Sequence, residues 1–420
     1  MPDSINQPDL LPPSDAQDVD DIWGLEHVRK LAGMYLWTDD RGLRAMSEYV
    51  LESMVNEYLA GFGSDIQITL HADNSISLQD NGRGISLALD SPHPLTYVEL
   101  LFTSQIHGRG YGYRDKQRYR FNASIDHLAL ISPFSERLTA EIAQGGRLYS
   151  ATFSRGKLTE RLKDIGTAPH TGTTLTYLPD SDIFVCPVRH CFDSLAKRLQ
   201  QLAFLHPGLT LGIVDERESA IASPTSQRRF QYPGGLVEYV REMTSGDIAL
   251  HAEPITFSGL MEQIDFECAL FFTGPHLSNI DFFCNDSHNR DGGTHSNGFT
   301  KGLIQAFRRY TKANNLLPDK SDKFSSEDLL TGIVGVVTVR HPHPMFENVT
   351  LTRLLSPDAE SVTRRIVYKG FLQFLKANQQ IARSIFENVK TAARARTTLS
   401  QCLKARPKKR PEIPSRPTII

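Results

Sequence analysis

The segment Asp80-Asn81-Gly82-Arg83-Gly84 constrains the fold of this chain more than any other feature. It follows two runs in which apolar and polar residues alternate, residues 66–70 and 76–78, with Asp73-Asn74 between them as a turn. Such alternation predicts half-buried β-strands, and two glycines within three residues suit neither a helix nor a strand. The sequence therefore predicts a pair of strands that ends in a glycine-rich loop with one acidic side chain.

The other regular elements mix helices with strands. A helix is expected to precede this strand pair and to stop at Gly61, because apolar side chains recur on one stripe at Leu43, Met46, Val50, Met54 and Tyr58. Further strands are predicted at residues 128–131, 173–177, 269–273 and 333–340. Further helices are predicted at residues 192–205, 298–314 and 359–396.

The length of the chain predicts more than one domain. A chain of 420 residues fits about two domains of ~150–200 residues each. A stretch containing Ser, Thr and Pro between residues 215 and 230 separates two groups of strands and helices. We expect a disordered arm at residues 1–20, domains at 21–220 and 221–397, and a basic, proline-rich tail at 398–420.

Composition excludes several classes of protein. A net charge of −2 gives no general attraction to DNA, so any contact with DNA is expected to be weak and non-specific. No apolar run approaches the ~18 residues that cross a bilayer. The cysteines have no spacing typical of disulfides or of a metal site, and we expect a cytoplasmic protein with no metal centre; they are Cys186, Cys191, Cys268, Cys284 and Cys402.

Several motifs, in one order along the chain, carry a resemblance to a known family. From about residue 22 to 396 the chain resembles the N-terminal half of gyrase B and of its topoisomerase IV counterpart. The motifs are Val28-Arg29-Lys30, Gly33-Met34-Tyr35, His71-Ala72-Asp73-Asn74-Ser75, Gln79-Asp80-Asn81-Gly82-Arg83-Gly84-Ile85, Thr171-Gly172-Thr173, Ala196-Lys197-Arg198-Leu199, Tyr232-Pro233-Gly234-Gly235 and Arg290-Asp291-Gly292-Gly293-Thr294-His295.

This resemblance implies an α+β fold in two parts. The first is a GHKL (Bergerat-type) ATPase domain, an α/β sandwich, and the second is a transducer domain of the ribosomal-protein-S5-like kind. The chain stops where the family's metal-binding cleavage domain would begin, so it is not expected to cut or rejoin DNA by itself. The family also implies a homodimer or a complex with a topoisomerase subunit.

The resemblance assigns an adenine-binding role to the glycine-rich loop. Asp80 would accept the adenine amino group, Thr173 would support the same hydrogen-bond network, and Gly84 would let the chain approach the base. Arg83 would cover the edge of the pocket. The simpler alternative is that Asp80 only caps a glycine-rich turn.

The helix before the strand pair departs from the family at the residues that carry out the reaction. The family's general-base glutamate falls on Tyr49, its magnesium-binding asparagine on Ser53, and the neighbouring aspartate on Glu52. A phenol with a pKa near ~10 cannot activate water at neutral pH. Ser53 has no side-chain carbonyl to offer Mg²⁺. Glu48 is the alternative base, although one residue is ~100° around a helix.

Two further parts of the family's phosphate machinery are altered. The stretch that corresponds to its glycine-rich lid, residues 118–125, contains no glycine. Upstream of this stretch are Gly108, Gly110 and Gly112, with Arg109 and Arg114 close to them in the sequence. These residues are either a flexible remnant of the lid or a substitute loop that binds an anion.

The family's Gln-Thr-Lys loop corresponds to Val349-Thr350-Leu351. Leu351 therefore stands at the position of the lysine that contacts the γ-phosphate, and an aliphatic side chain stabilises no phosphoryl charge. Arg353 is the possible substitute.

These departures predict a degenerate paralogue that binds or modulates rather than hydrolyses ATP. The expected ligand is ATP, ADP or another small planar molecule, and Mg²⁺ is not expected. Two enzyme alternatives remain open: a residual ATPase, or a site recruited for other chemistry with Tyr49, Glu52 and His107 as candidate groups.

Overall fold

The computed structural model describes residues 25–88, 95–104, 127–217, 226–274, 278–316, 324–347 and 351–405. The chain divides into two compact units, residues 1–235 and 236–420. None of the described helices is both long and apolar enough to cross a membrane. Within the same residues, no cluster of three His, Cys, Asp or Glu side chains is placed to hold a metal ion.

The first unit contains helices and strands in mixed order. Its helices are α1 (Leu25–Lys30), α2 (Ala32–Tyr35), α3 (Asp40–Leu59), α4 (Tyr97–Leu101) and α5 (Phe192–Leu205), with a 3₁₀ helix at His127–Ile131. Its strands are β1 (Asp65–Leu70), β2 (Ile76–Asp80), β3 (Ser135–Gln144), β4 (Arg147–Ser154), β5 (Lys157–Thr167), β6 (Gly172–Pro179), β7 (Thr210–Asp215) and β8 (Gln227–Phe230).

These strands form one sheet in the order β5-β4-β3-β6-β2-β1-β7-β8. The pairs are antiparallel except for β1 with β7, which is parallel. Burial alternates along β1 and β6, because successive side chains of a strand point to opposite faces. The buried face carries Ile68, Leu78 and Leu175, which belong to one apolar core with Met46 and Val50 of α3.

The helix α3 is the element that the site depends on. It begins at Asp40, three residues before the first position of the predicted stripe, because Asp39 accepts a hydrogen bond from the Arg41 N–H at 3.0 Å and caps it. It ends at Leu59, as expected from Gly61, which has a positive φ of 91°. Its apolar stripe is buried on the sheet.

The region between residues 127 and 167 differs from the prediction. Residues 128–131 form part of a 3₁₀ helix rather than a strand, since a run of four apolar residues is too short to distinguish the two. The strands here are β3, β4 and β5, of which β5 is largely exposed and lies at the edge of the sheet. The pairing of β4 with β5 shifts register at several points.

The second unit is described by itself. Its helices are α6 (Leu236–Met243), α7 (Thr294–Ala313), α8 (Ser326–Leu330), α9 (Pro357–Ala377) and α10 (Gln379–Ala405). Its strands are β9 (Ile255–Met261), β10 (Ile264–Phe272), β11 (Asn279–Cys284), β12 (Ser287–His288) and β13 (Ile333–Arg340), in the sheet order β12-β11-β13-β10-β9. The helices α7 and α9 pack closely, because Gly298 and Gly302 bring the backbone of α7 against α9.

Two predicted helices of this unit have different bounds. The helix expected at residues 298–314 begins earlier, at Thr294, directly after Gly293. The single helix expected at residues 359–396 is two helices, separated at Asn378. The backbone of Asn378 has φ −123° and ψ 63°, and its side chain donates to the carbonyl oxygen of Phe374 at 3.0 Å.

Asp180, directly after β6, joins distant parts of the first unit. Its carboxylate is fully buried and accepts from Arg29 Nη2 at 2.7 Å and from Arg155 Nε at 2.8 Å. Burial alone would raise the pKa of Asp180, but the hydrogen bonds from Arg155, from the Asp182 N–H and from Arg29 outweigh it and hold the pKa below its ordinary value. This carboxylate therefore stays charged and ties α1 to the turn between β4 and β5.

We expect Asp180→Ala to lower the free energy of unfolding of the first unit by about 3 kcal/mol, because removing one partner of a buried ion pair leaves the others without compensation. Asp182→Ala is the matched control, since the Asp182 side chain is 70% exposed and shares Arg155. Urea unfolding followed by circular dichroism measures both. Equal losses in the two variants would contradict this role of burial.

Candidate functional site

The loop after β2 carries the acidic residue singled out in the sequence. Asp80 is the last residue of β2 and is buried. Its Oδ1 accepts a hydrogen bond from the Gly82 N–H at 2.7 Å, so Asp80 does cap the turn. A carboxylate has about four acceptor positions, so this capping hydrogen bond does not by itself exclude a second donor.

The start of β6 lies against this loop because two residues are glycines. Gly172 has a φ of 152°, and a Cβ there would lie 2.1 Å from the Asp80 carbonyl oxygen. Gly84 has a φ of 84°, and a Cβ there would lie 2.9 Å from Ile142 Cγ2. Thr173 Oγ1 accepts from the Ile85 N–H at 3.0 Å. The structure therefore brings Asp80, Gly84 and Thr173 together.

Arg83 is held in an ion pair that sequence reasoning did not find. Its Nε and Nη2 donate to Glu57 Oε1 and Oε2 at 2.7 and 2.8 Å, and its backbone N–H also donates to Oε1. The guanidinium lies 3.7 Å from the centroid of the Phe62 ring. The sequence feature that could have identified Glu57 is its position on α3, one helical turn beyond Ser53 on the same face.

Ser53 and Glu52 are both buried on α3. One turn earlier, the ring of Tyr49 stacks on the ring of His127, with centroids 4.5 Å apart and planes inclined by 19°. The Tyr49 hydroxyl donates to the carbonyl oxygen of Tyr35 at 3.5 Å, a long contact. Burial, and then the nearby charge of Glu52, raise the pKa of Tyr49 to about 12.

His127 is the main site residue that the sequence did not reveal. Its Nδ1 lies 3.8 Å from Glu52 Oε2 and forms no hydrogen bond with any described residue. Burial lowers the pKa of His127 to about 4, so the imidazole is neutral at physiological pH. Because His127 begins a 3₁₀ helix far along the chain from α3, only the fold places it beside Tyr49 and Glu52. We call Tyr49 and His127 the aromatic pair.

The remaining predicted residues lie elsewhere. Glu48 is on another face of α3, where its carboxylate accepts from Arg198 Nε at 2.9 and 3.0 Å. Leu351, in the second unit, has a positive φ of 55°, and its carbonyl oxygen accepts from Asn289 Nδ2 at 2.6 Å. Arg353 is exposed. His107, the glycines and arginines of 108–114, residues 118–125, Val349 and Thr350 lie outside the described residues.

The charged groove beside α1 is separate from these residues. It encloses about 560 Å³ and is lined by Glu26, Arg29, Lys30, Ser154, Arg155, Lys157 and Thr159. Arg29 and Arg155 share the single carboxylate of Asp180, Arg155 also pairs with Asp182, and Lys157 pairs with Glu26. Most of the cationic side chains that line the groove are therefore engaged in ion pairs.

Comparison with known proteins gives one family. The family model described as DNA gyrase B matches residues 235–403. The gyrase B protein of Streptococcus pyogenes is 32% identical over 385 residues, which are 91% of this chain and 58% of that protein. The gyrase B protein of Streptococcus pneumoniae is 32% identical over 398 residues, which are 94% of this chain and 60% of that protein. The chain thus spans about three fifths of the length of these relatives.

Solved structures agree with this family. The 43K ATPase domain of Thermus thermophilus gyrase B, in complex with an aminocoumarin, matches with a TM-score of 0.76 and 29% identity over 92% of this chain and 99% of that one. The topoisomerase IV ATP-binding domain of Francisella tularensis, in complex with an inhibitor, matches with a TM-score of 0.71 and 25% identity over 89% and 98%. The fold class predicted from the sequence is confirmed.

We expect Glu57→Ala to lower the free energy of unfolding by about 2–3 kcal/mol, because Glu57 is almost fully buried and Arg83 loses a charged partner. Glu48→Ala is the matched control on the same helix, and its more exposed pair with Arg198 predicts a loss of about 1 kcal/mol or less. Urea unfolding of both variants measures the difference. A larger loss for Glu48→Ala would contradict this ranking.

We expect acid to destabilise the protein partly through His127. Its folded pKa of about 4 lies below its ordinary value of 6.5, so the unfolded chain binds more protons between these values. The stability that this group contributes is present above pH 6.5 and is lost as the pH falls towards 4. From pH 7 to 5, the wild type should lose about 1–2 kcal/mol more than His127→Phe, which keeps an aromatic ring.

Urea unfolding at several pH values measures this difference. His190, His251 and His295 also have lowered pKa values, and they titrate equally in both proteins. Parallel pH curves for the wild type and the variant would show that His127 titrates normally.

Proposed function

The chain is related to DNA gyrase B, and we propose that it is a binding module that keeps the family's adenine-type site and no longer hydrolyses ATP. The ligand would hydrogen-bond to Asp80 and to the network of Thr173, with Gly84 beside its ring and Arg83 at the edge. The proposal concerns this module, because the chain covers only part of the length of its relatives.

One observation carries the loss of hydrolysis: Tyr49 stands where the family has its general base. A base must accept a proton from water near pH 7, and a carboxylate does so far better than a phenol. The pKa of Tyr49, raised to about 12 by burial and by Glu52, makes the phenol a donor rather than a base. Its ring stacks on His127, and its hydroxyl donates to the carbonyl oxygen of Tyr35.

The neighbouring residues support the same proposal. Glu48 is engaged by Arg198 on another face of the helix, so it is not available at the position of Tyr49. Ser53 offers a hydroxyl in place of an amide oxygen, which makes an octahedral Mg²⁺ site unfavourable. Leu351 replaces a cation by an aliphatic side chain. Four independent parts of the family's hydrolytic machinery are therefore altered together: the general base, the magnesium ligand, the lysine that contacts the γ-phosphate, and the glycine-rich lid.

A divergent enzyme is the second candidate, and one observation favours it. Glu52 and His127 form a carboxylate–imidazole pair, with 3.8 Å between Oε2 and Nδ1, and the ring of Tyr49 stacks on that of His127. Such a pair is typical of general-base sites. We rank it second because burial lowers the pKa of His127 to about 4, which makes the imidazole a weak base.

The partners follow from the family. We propose a homodimer, or a complex with a topoisomerase subunit, whose assembly does not depend on ATP. A ligand shifts the equilibrium between two assembly states only if its affinity differs between those states. Leu351 offers no contact to the γ-phosphate that would make the affinity for ATP differ. A cytoplasmic location and weak, non-specific DNA contact belong to the same proposal.

We expect ATP hydrolysis by the purified protein to equal the buffer background, with the ATPase domain of Thermus thermophilus gyrase B as the positive control. Tyr49→Phe should change nothing, because the phenol is not a base. A coupled assay of phosphate release with ATP and Mg²⁺ measures this. Turnover that disappears in Glu52→Gln and His127→Gln would support the second candidate instead.

A further inference from the structure

The strand β9 lies at an edge of the sheet in the second unit. It is the last strand in the order β12-β11-β13-β10-β9, and the described residues place no strand beyond it. It pairs with β10 in one antiparallel register, from Met261 with Ile264 to Ile255 with Leu270, without a bulge. None of its seven residues is charged or a proline. β9 therefore lacks the features that usually keep an edge strand from pairing with another chain.

The turn between β9 and β10 determines which backbone groups of β9 point away from the sheet. Only Glu262 and Gln263 separate the two strands, and both have a positive φ, 53° and 64°, as in a type I′ turn. In such a hairpin the flanking pair, Met261 and Ile264, exchanges both backbone hydrogen bonds, and every second pair from there does the same. The N–H and C=O groups that point away from β10 therefore belong to the intervening residues: Thr256, Ser258 and Leu260.

The two faces of β9 differ in what covers them. The side chains of Thr256, Ser258 and Leu260 are exposed. The other face packs on α9, where a Cβ at Gly259 would lie 3.1 Å from Ile366 Cγ2. A second strand that paired with β9 would gain backbone hydrogen bonds and cover Leu260, which is 55% exposed, without displacing α9.

The sequence of β9 is complementary to itself. When two copies run antiparallel with Ser258 on the twofold axis, Thr256 of each copy lies opposite Leu260 of the other. The outward groups of these residues then form about six backbone hydrogen bonds between the copies. Each Leu260 side chain packs on a Thr256. On the other face, Phe257 of each copy lies opposite Gly259 of the other, and an aromatic ring beside a glycine is a favourable cross-strand pair.

Charge does not oppose this arrangement. The neighbouring strand β10 carries two acidic residues beside β9, Asp265 and Glu267. In the paired copies they would be at least three strand spacings, ~14 Å, from those of the other copy. That separation exceeds the Debye length of ~8 Å at physiological salt. The acidic residues beyond the two ends of β9 form ion pairs within the chain: Glu253 with Arg241, and Glu262 with Arg365.

We propose that β9 is a docking surface for a second copy of this chain, and that two β9 strands pair antiparallel about Ser258. The occupant is a second copy because one register satisfies the outward backbone groups of both strands and leaves no like charges opposite each other. This inference assigns a surface to the homodimer of the proposed function and does not depend on the ligand site at Asp80.

Oxidative cross-linking of the full chain tests where the copies meet. Residues opposite each other in a hydrogen-bonded antiparallel pair have Cα atoms ~5.5 Å apart, which a disulfide can span. Ser258→Cys should therefore form a disulfide-linked dimer under mild oxidation, well above the background that the exposed Cys191 gives in the wild type. Thr159→Cys is the matched control, because Thr159 is exposed on β5, an edge strand of the other sheet.

Sedimentation over a range of protein concentrations measures the affinity. Ser258→Glu places two carboxylates opposite each other, so it should raise the dissociation constant at least about tenfold. An equal mixture of Ser258→Glu and Ser258→Lys should restore association, because the opposed side chains then carry opposite charges. Thr159→Glu should leave association unchanged. Since Ser258 is exposed, these variants should keep the circular dichroism spectrum and the urea unfolding of the wild type.

The outcomes separate this inference from the proposed function. Ser258→Cys that cross-links no better than the wild type, or Ser258→Glu that associates as tightly, overturns the β9 surface. A wild type that still dimerises in that case keeps the proposed homodimer, through another surface. A wild type that is monomeric at every concentration overturns both, whereas the assay of phosphate release tests the loss of hydrolysis independently. Cross-linking decides where Ser258→Glu does not fold.

Discussion

The packing of α3 on the larger sheet is the constraint from which the site follows. Met46, Val50 and Met54 are buried against the strands, and this fixes the rotation of the helix about its axis. Once the rotation is fixed, Tyr49, Ser53 and Glu57 must share another face. A change in the chemistry of that face therefore needs no change in the fold, which explains how this architecture accommodates the phenol of Tyr49 there.

The second constraint is the close approach of β6 to the loop after β2. Gly172 admits the Asp80 carbonyl oxygen at a distance that no side chain would allow. The loop is thereby held from both sides, by β6 and by the Glu57–Arg83 pair on α3. The loop is therefore held by backbone contacts and buried charge. The face of α3 that carries Tyr49 and Ser53 differs from it in being formed by side chains, so its chemistry can change without disturbing the loop.

The sequence predicted those parts of the structure that depend on local pattern. The helix Phe192–Leu205 and the strand Ile333–Arg340 agree with prediction to the residue, because their apolar periodicity is long and uninterrupted. Residues 128–131 were predicted as a strand but form part of a 3₁₀ helix, because a run of only four apolar residues shows no periodicity that distinguishes a strand from a helix. The break at Asn378 was missed because apolar periodicity continues through it. No pattern in α3 alone could indicate His127.

The same distinction applies to the site. Asp80 and Gly84 lie together because the glycine-rich motif determines the backbone between them, whereas Thr173, 88 residues from Ile85, was identified from the family resemblance. Glu57 and His127 contact residues 26 and more positions away, and charge or size alone does not reveal such pairs. Sequence reasoning therefore found the residues that a local motif or a family resemblance marks, and it overlooked Glu57 and His127, which only the fold brings to them.

The exposed strand β5 has a consequence for association with other chains. An edge strand offers unpaired backbone groups to any second strand, and sheets grow by that route. β5 carries alternating charges along its length, from Lys157 and Glu160 to Lys163 and Asp164, and its pairing with β4 shifts register repeatedly. A second strand that paired with β5 would contact its charged side chains and would have to follow an irregular hydrogen-bonding register. The large sheet therefore ends at β5 and resists edge-to-edge aggregation.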